Sequence, residues 1–209
     1  MPGAWEYQAP GVLMAILTRG IVPIRWAISY RSLKLPPFSK EIHLSGMPFD
    51  HARNVAVEYV IKGGFTWLFF LDDDVIAPPD TVERLISHNK DIISGLYYRR
   101  IEPIEPVMCK ENAGRITKFN PGEVLEVDMV GAGCLLIHRR VFERIPKPWF
   151  EWLLDRDDIP ENQRASEDFA FCRKARQHGF RIYVDTSIQC HHAGYGRSEL
   201  GGHFRPLEV

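Results

Sequence analysis

Apolar runs alternate with amphipathic stretches through the first half of the chain, and this alternation predicts an α/β fold. Residues 12–17, 65–71 and 91–97 are largely apolar, which is typical of buried strands, and 41–44 is a shorter extended piece. Apolar residues recur at helical spacing in stretches at 23–33, at 52–62 and from Asp80 onward. Elements in this order favour a mainly parallel sheet flanked by helices.

The second half of the chain predicts a mixed sheet. Residues 123–130 alternate apolar and polar positions, whereas 134–137 are continuously apolar. A short helix over 139–145 ends before Pro146, and Ser166 is predicted to cap a helix through His178 that leads into a last strand at 181–184. With no internal repeat or boundary, we expect one domain over residues 1–209, with its core at 12–194 and a mobile tail at 195–209.

A charged, aromatic-bearing stretch at 147–165 has no settled period, and a loop of this length is uncommon unless it is functional. Trp149 and Trp152 in this stretch either stack on a ligand or pack as buried aromatics.

Composition narrows the classes of partner. A net charge of -1 over 209 residues gives no footprint for nucleic acid, although Arg99-Arg100 and Arg139-Arg140 are local basic pairs that can face phosphate. No signal peptide or transmembrane segment is predicted, because a bilayer crossing needs about 20 apolar residues. The chain is therefore expected to be cytoplasmic, with a peripheral position at a membrane surface left open.

The four cysteines are widely separated, which is typical of a protein in a reducing compartment rather than of a secreted protein held together by disulfides. Cys134 and Cys172 lie in apolar sequence and are predicted to be core residues. A zinc cluster built on Cys190, His191, His192 and His203 is disfavoured, since the spacing matches no structural zinc pattern.

Three consecutive aspartates, Asp72, Asp73 and Asp74, follow the apolar run at 65–71 directly. Their mutual repulsion is most easily relieved by a divalent cation, and the carboxyl ends of strands are where open α/β sheets bind ligands. On an extended backbone Asp72 and Asp74 would share one side while Asp73 points away. Oxygen ligands suit Mg²⁺ or Mn²⁺ bridged to the phosphates of a nucleoside diphosphate. The alternative is an acidic turn that caps the next helix.

Two histidines, His191 and His192, follow an apparent strand end and precede Ala193-Gly194. One of them would complete the metal shell and favour Mn²⁺, and the alternative is a pair of surface residues.

Three further short segments carry candidate chemistry. Glu167 and Asp168 open a helix, where acids are favoured by the helix dipole, and one carboxylate is left to face a cleft as a general base. Gly131-Ala132-Gly133 allows a tight turn or the close approach of a ligand. Arg53 starts a helix and meets either a diphosphate or solvent.

The order of these pieces resembles a glycosyltransferase of the GT-A fold, close to family 2 and its small bacterial and phage-like members. The resemblance spans residues 12–194. It rests on the segments MAILTRG at 14–20, ARN at 52–54, FLDDDV at 70–75, VGAGCLLIHR at 130–139, PWF at 148–150, SEDFAFC at 166–172 and CHHAG at 190–194.

The resemblance implies a single Rossmann-like domain with a mixed, mainly parallel central sheet, and it implies roles for individual residues. Asp72 and Asp74 match an Asp-x-Asp metal motif, which implies Asp74 on the metal and Asp72 toward a metal-bound water or the nucleotide ribose. His192 is similar to a late metal ligand, with the doubled histidine leaving His191 as a rival. Asp168 matches the catalytic base, with Glu167 as its neighbour at the acceptor site. The implied donor-binding residues are Thr18, Arg19, Arg53, Asp72 and Asp73, and the implied lining of the donor or acceptor is Gly131, Ala132 and Gly133.

The function expected from sequence is metal-dependent transfer of a sugar from a nucleotide-sugar, with a UDP-sugar favoured, to an acceptor hydroxyl. Mn²⁺ or Mg²⁺ is the expected cofactor. The acceptor class is open between a glycan, a lipid-linked acceptor and a protein, and a lipid-linked acceptor would bring the chain to a membrane surface. We expect residues 147–165 to shape the choice of acceptor, with Trp149 and Trp152 either stacked on a sugar face or buried. Asp168 as base gives inversion at the anomeric carbon, although retaining enzymes share the fold. The rivals are a nucleotidyltransferase acting on sugar phosphates and a non-catalytic nucleotide- or carbohydrate-binding module.

Overall fold

The computed structural model describes residues 11–111 and 113–193. The predicted tail at 195–209 lies outside the described residues. Within them, no helix is long and apolar enough to cross a membrane.

The described chain forms five α-helices and twelve strands, which are numbered in chain order. The helices are α1 Ile24–Ser32, α2 Phe49–Gly63, α3 Thr81–Ser87, α4 Arg139–Arg144 and α5 Glu167–Gln177. The strands are β1 Val12–Thr18, β2 Lys40–Ser45, β3 Trp67–Asp72, β4 Val75–Ile76, β5 Ile92–Leu96, β6 Met108–Lys110, β7 Gly114–Arg115, β8 Val124–Val127, β9 Met129–Val130, β10 Cys134–His138, β11 Ile182–Gln189 and β12 His191–His192.

A seven-stranded sheet in the order β2-β1-β3-β10-β5-β11-β8 forms the centre of the described chain. Strand β1 runs parallel to β2 and β3, and β5 runs parallel to β11. Strand β10 is antiparallel to both β3 and β5, and β8 is antiparallel to β11. The mixed, mainly parallel sheet expected from sequence is confirmed. Because β1, β3 and β5 share one direction, their carboxyl ends meet at the same edge.

Both faces of this sheet are covered, as the continuously apolar strands require. Along β1, Leu13, Ala15 and Leu17 join the core under α2, α4 and α5, while Val12, Met14 and Ile16 face the core under α1 and α3. All four cysteines are buried and free, which confirms the core positions predicted for Cys134 and Cys172.

Some element boundaries differ from the sequence expectation. The stretch at 123–130 divides into β8, in the central sheet, and β9, which pairs with β6 in a small separate sheet. Asp128 lies between the two strands, and its carboxylate accepts the Glu111 backbone N–H at 3.0 Å. The last strand is longer than predicted and shifts register between Asp185 and Gln189. A strand pattern alone does not reveal where such a shift occurs.

The start of α5 also differs. Ser166 occupies the N-cap position, but its side chain makes no capping hydrogen bond. Its hydroxyl donates instead to the Asp168 carboxylate, and Asp168 Oδ1 also accepts the Phe169 N–H at 2.8 Å. The acid two residues downstream therefore takes the role predicted for the serine.

Candidate active site

A cleft of about 940 Å³ opens at the sheet edge where β1, β3 and β5 end. Its wall carries five carboxylates and four guanidinium groups, so a doubly charged cation would turn a small negative balance into a positive one. The carboxylates are Asp72, Asp73, Asp74, Glu167 and Asp168, and the guanidinium groups are Arg19, Arg53, Arg99 and Arg100.

All three consecutive aspartates reach this cleft, which differs from the alternation expected for an extended backbone. Asp72 is the last residue of β3, and the chain then turns through Asp73 and Asp74 before β4. The turn ends the pleat, so Asp73 also faces inward and its Oδ2 accepts the Arg19 backbone N–H at 3.0 Å. Asp73 therefore holds the loop after β1, and none of the three aspartates caps the next helix, whose N-cap residue is Asp80.

Asp74 and His192 are brought together by a short antiparallel pairing of β4 with β12. The Ala193 N–H donates to the Asp74 carbonyl at 2.6 Å, and His192 Nε2 lies 3.2 Å from Asp74 Oδ1. The other ring nitrogen, Nδ1, is 2.8 Å from the Tyr98 carbonyl oxygen. A carbonyl only accepts, so Nδ1 carries a proton and Nε2 faces the carboxylate.

The electrostatics at Asp74 suit a cation. A bare imidazole lone pair 3.2 Å from a carboxylate oxygen is unfavourable unless a proton or a cation lies between them. On the other side, Arg100 Nη1 donates to Asp74 Oδ2 at 2.6 Å. Burial raises the pKa of Asp74, but the His192 hydrogen bond and the charges of His192, Arg100 and Arg19 outweigh it and hold the pKa below its usual value. Asp74 is therefore ionised and ready to bind a positive group.

The two adjacent histidines lie in different surroundings. His192 lines the cleft and is half-buried, whereas His191 is exposed and is absent from the cleft wall. The geometry thus favours His192 over His191 as a ligand, and both roles stay predictions.

The residues at the cleft fit a metal only in part. Among residues 11–111 and 113–193, no group of three or more His, Cys, Asp or Glu side chains could hold a metal ion. The Asp74–His192 pair supplies a carboxylate and an imidazole, which suits an ion that takes its remaining ligands from water and from the phosphates of a substrate. A site of this kind is completed by its substrate.

Arg53 lies inside the protein, 2% exposed, and joins the acidic groups of the cleft. Its Nη2 is 3.2 Å from Asp72 Oδ1 and its Nε is 3.1 Å from Glu167 Oε1, while the guanidinium lies over the Phe70 ring at 4.9 Å from the centroid. Burial raises the pKa values of Asp72 and Glu167, and the charge of Arg53, which the two acids share, lowers them without offsetting the effect of burial. The alternative of a solvated Arg53 is therefore wrong, and its contact with a diphosphate stays a prediction.

The neighbouring Asn54 fixes the segment at 148–150. Its Oδ1 accepts the N–H groups of Trp149 and Phe150 at 3.0 and 3.1 Å, and its Nδ2 donates to the Phe150 carbonyl at 2.7 Å. Trp149 is consequently buried, whereas Trp152 lies on the cleft wall. Of the two tryptophans that could stack on a sugar, Trp152 has the position for it.

Asp168 lies at the start of α5 and faces the cleft. Its described hydrogen bonds, from Ser166 and from the Phe169 N–H, both use Oδ1. Glu167 also reaches the cleft wall, but it is buried and is paired with Arg53. The two adjacent acids of the Glu-Asp motif thus have different partners.

The segment Gly131 to Gly133 is buried and does not appear on the cleft wall, although its implied role remains a prediction. A Cβ on Gly131 would lie 2.0 Å from the Tyr97 hydroxyl oxygen, and one on Gly133 would lie 2.9 Å from Val75 Cγ2. The Gly133 N–H donates to the Tyr97 hydroxyl at 3.0 Å. The missing side chains therefore make room for Tyr97, which lines the cleft.

Three positioning groups did not emerge from the sequence. They are the Tyr97 ring, the Tyr98 carbonyl and Trp26, whose Nε1 donates to the Asp72 carbonyl at 2.8 Å. Tyr97, Tyr98, Arg99 and Arg100 follow β5 directly, so their place at the carboxyl end of a predicted strand was the available signal. Thr18 and Arg19 occupy the corresponding place after β1, and both line the cleft.

Comparison with known proteins supports the fold. No protein-family model matches the chain, and no curated protein matches it in sequence. In structure it is similar to A197 from STIV, with a TM-score of 0.62 and 21% identity over 87% of this chain and 84% of that one. It is also similar to GalNAc-T7 bound to UDP, GalNAc and Mn²⁺, with a TM-score of 0.60 and 13% identity over 95% of this chain.

The chain spans 46% of the GalNAc-T7 chain. At these identities the likeness concerns the fold, which is GT-A-like.

Proposed function

We propose that this protein is a metal-dependent glycosyltransferase that uses a nucleotide-sugar, with a UDP-sugar favoured, and inverts the anomeric carbon. One observation carries the proposal. In a cleft at the carboxyl edge of the sheet, the Asp74–His192 pair and the half-buried Asp168 face a common space. The GT-A-like fold supports the class, since the similar GalNAc-T7 holds UDP, GalNAc and Mn²⁺.

Asp74 Oδ1 and His192 Nε2 would hold Mn²⁺ or Mg²⁺. Bound there with the diphosphate, the ion would act as a Lewis acid that stabilises the departing nucleoside diphosphate. The Tyr98 carbonyl orients the imidazole by accepting from Nδ1, as the outer partner of a metal-binding histidine commonly does. Asp72 is fixed by Arg53 and by the hydrogen bond from Trp26 to its carbonyl, so it is held ready for the nucleotide.

Asp168 would act as the general base. Because its described hydrogen bonds use Oδ1, we assign Oδ2 to accept the proton from the acceptor hydroxyl. The hydroxyl oxygen bonds to the anomeric carbon as the bond from that carbon to the diphosphate oxygen breaks. Attack from the side opposite the leaving group inverts the configuration.

The test is a panel of nucleotide-sugars incubated with the protein in Mn²⁺, in Mg²⁺ and in a chelator. We expect the nucleoside diphosphate to be released, by hydrolysis or by transfer, only when a divalent cation is present. Release of pyrophosphate from a sugar phosphate and a nucleoside triphosphate would identify a nucleotidyltransferase instead. Binding of a nucleotide-sugar without turnover would identify a non-catalytic module.

A further inference from the structure

The loop after β1 exposes an unusual run of apolar side chains. In the segment Arg19-Gly-Ile-Val-Pro-Ile-Arg25, Ile21 is 76% exposed and Ile24 is 74% exposed, with Val22 also at the surface. Scattered exposed apolar residues are ordinary, but a consecutive exposed run is unfavourable in water and is retained where it binds something.

A second loop brings another exposed apolar residue to the same cleft. Ile101 is 72% exposed and follows Arg99-Arg100 in the loop after β5. Ile21, Pro23 and Ile101 all line the mouth of the cleft. On α1, Ile28 is exposed one turn after Ile24 and extends the surface along the helix. We call the side chains of Ile21, Val22, Ile24, Ile28 and Ile101 the apolar rim.

Positive charge accompanies the apolar rim. Arg19 and Arg25 flank the first run and Arg99 and Arg100 precede Ile101, while residues 19–25 and 99–101 contain no acid. Arg100 is paired with Asp74, Glu102 follows directly, and Asp72 and Asp73 line the same cleft, so the positive charge at its mouth is partly offset. Long arginine side chains beside exposed aliphatic groups suit a boundary where acyl chains meet anionic headgroups.

We infer that the apolar rim and its arginines dock this protein onto an anionic lipid bilayer, with the mouth of the cleft at the headgroup layer. The charge pattern favours this occupant over a second copy of the chain, whose matching surface would oppose arginine to arginine. If the proposed function holds, a docked cleft would take an acceptor carried by the membrane.

The test is flotation of the full chain with phosphatidylcholine vesicles, with or without phosphatidylglycerol, in the absence of nucleotide and metal. We expect partition onto the phosphatidylglycerol vesicles that weakens as salt is raised. The double variant Ile21→Ser/Ile24→Ser should lower the partition coefficient at least tenfold, since two aliphatic insertions are lost. Arg25→Gln should weaken it by a smaller factor.

Phe38→Ser is the matched control, because Phe38 is 70% exposed but precedes β2, at the amino-terminal end of the parallel strands β1 and β2, whereas the cleft lies at their carboxyl end. It should leave the partition unchanged, and melting curves should show that every variant folds. Absence of flotation, or equal flotation of the double variant, would overturn the inference. So would a concentration-dependent dimer that dissociates in the double variant, because a second copy would then cover the rim.

Nucleotide and metal binding are measured separately from flotation. If the protein binds UDP with Mn²⁺ but does not float with vesicles, only the docking inference is wrong. If it floats with vesicles but does not bind UDP with Mn²⁺, only the proposed transferase function is wrong.

Discussion

At the residue scale, Arg53 is the group on which the acidic side of the cleft depends. Its guanidinium pairs with Asp72 and Glu167; the side chains of Arg53 and Glu167 are buried, and that of Asp72 is 26% exposed to the cleft. Removing one partner of a buried charge cluster leaves the others uncompensated, at a cost of about 3–5 kcal/mol.

We therefore predict that Arg53→Gln lowers the free energy of unfolding at pH 7.5 by roughly 3–5 kcal/mol, measured by urea denaturation. The matched control is Arg140→Gln, whose arginine pairs with Asp91 at the surface, and this change should cost less than about 1 kcal/mol. Equal small losses for both variants would contradict the role given to Arg53.

The pH dependence of Arg53→Gln has a definite sign. Burial already raises the folded-state pKa values of Asp72 and Glu167, and loss of the arginine should raise them further. An acid whose folded pKa is raised contributes stability at low pH that is lost as the pH rises through that pKa. The difference in free energy of unfolding between wild type and variant should be largest at neutral pH. It should decrease as the pH falls toward about 4, the pKa of these acids in the unfolded chain, and unfolding curves from pH 4.5 to 8 measure it.

Asp168 yields a prediction that separates chemistry from binding. Asp168→Asn keeps an acceptor oxygen for Ser166 and Phe169 but cannot take a proton, so turnover should fall by roughly 10²–10⁴-fold. Stabilisation by UDP and Mn²⁺ should remain. Turnover close to wild type would exclude Asp168 as the base, and a parallel loss of UDP binding would indicate a structural role.

At the scale of elements, the turn at Gly131 to Gly133 and the end of β5 are packed against each other. We predict that Gly131→Ala lowers the free energy of unfolding by about 1–3 kcal/mol, because the new Cβ would meet the Tyr97 hydroxyl. Tyr97→Phe removes that hydroxyl and should recover part of the loss in the double variant. A double-mutant cycle tests this: strictly additive losses would mean that the two residues do not compete for the same space.

The sequence predicted those elements whose structure follows from the apolar and polar pattern of their own residues. The buried strands β1, β3 and β10 and the helices α1 and α5 emerged from continuous or periodic apolar positions. Features that depend on distant partners were not predicted. The division of β8 from β9, the register shift within β11 and the pairing of β4 with β12 are decided by neighbours far along the chain.

The same distinction holds for the candidate site. The acidic run, the Glu-Asp pair and the late histidines were visible as residues, yet their arrangement was not. A turn at Asp73 replaced the expected alternation of side-chain directions, and Arg53 is a buried residue that pairs with acids inside the protein rather than a surface group. Both follow from long-range contacts, of Asp73 with Arg19 and of Arg53 with Glu167, which local spacing cannot encode.

At the scale of the whole molecule, the charges in the cleft couple the binding of the two expected ligands, the nucleoside diphosphate and the divalent cation. Five carboxylates against four guanidinium groups do not favour a bare diphosphate, and Asp74 with His192 supplies only part of a metal shell. UDP and the divalent cation should therefore each bind weakly alone and more tightly together, a coupling that must be reciprocal.

The measurement that tests this account most directly is the melting temperature with UDP, Mn²⁺, both or neither. With both at about 100 times the Kd, wild type should gain roughly 2.7 kcal/mol, a shift of about 5–10 °C. The matched control Asp91→Asn, which also removes an aspartate paired with an arginine, should keep that shift. Asp74→Asn should lose it, whatever its own melting temperature without ligand. An undiminished shift in Asp74→Asn would contradict the metal site on which the proposed function rests.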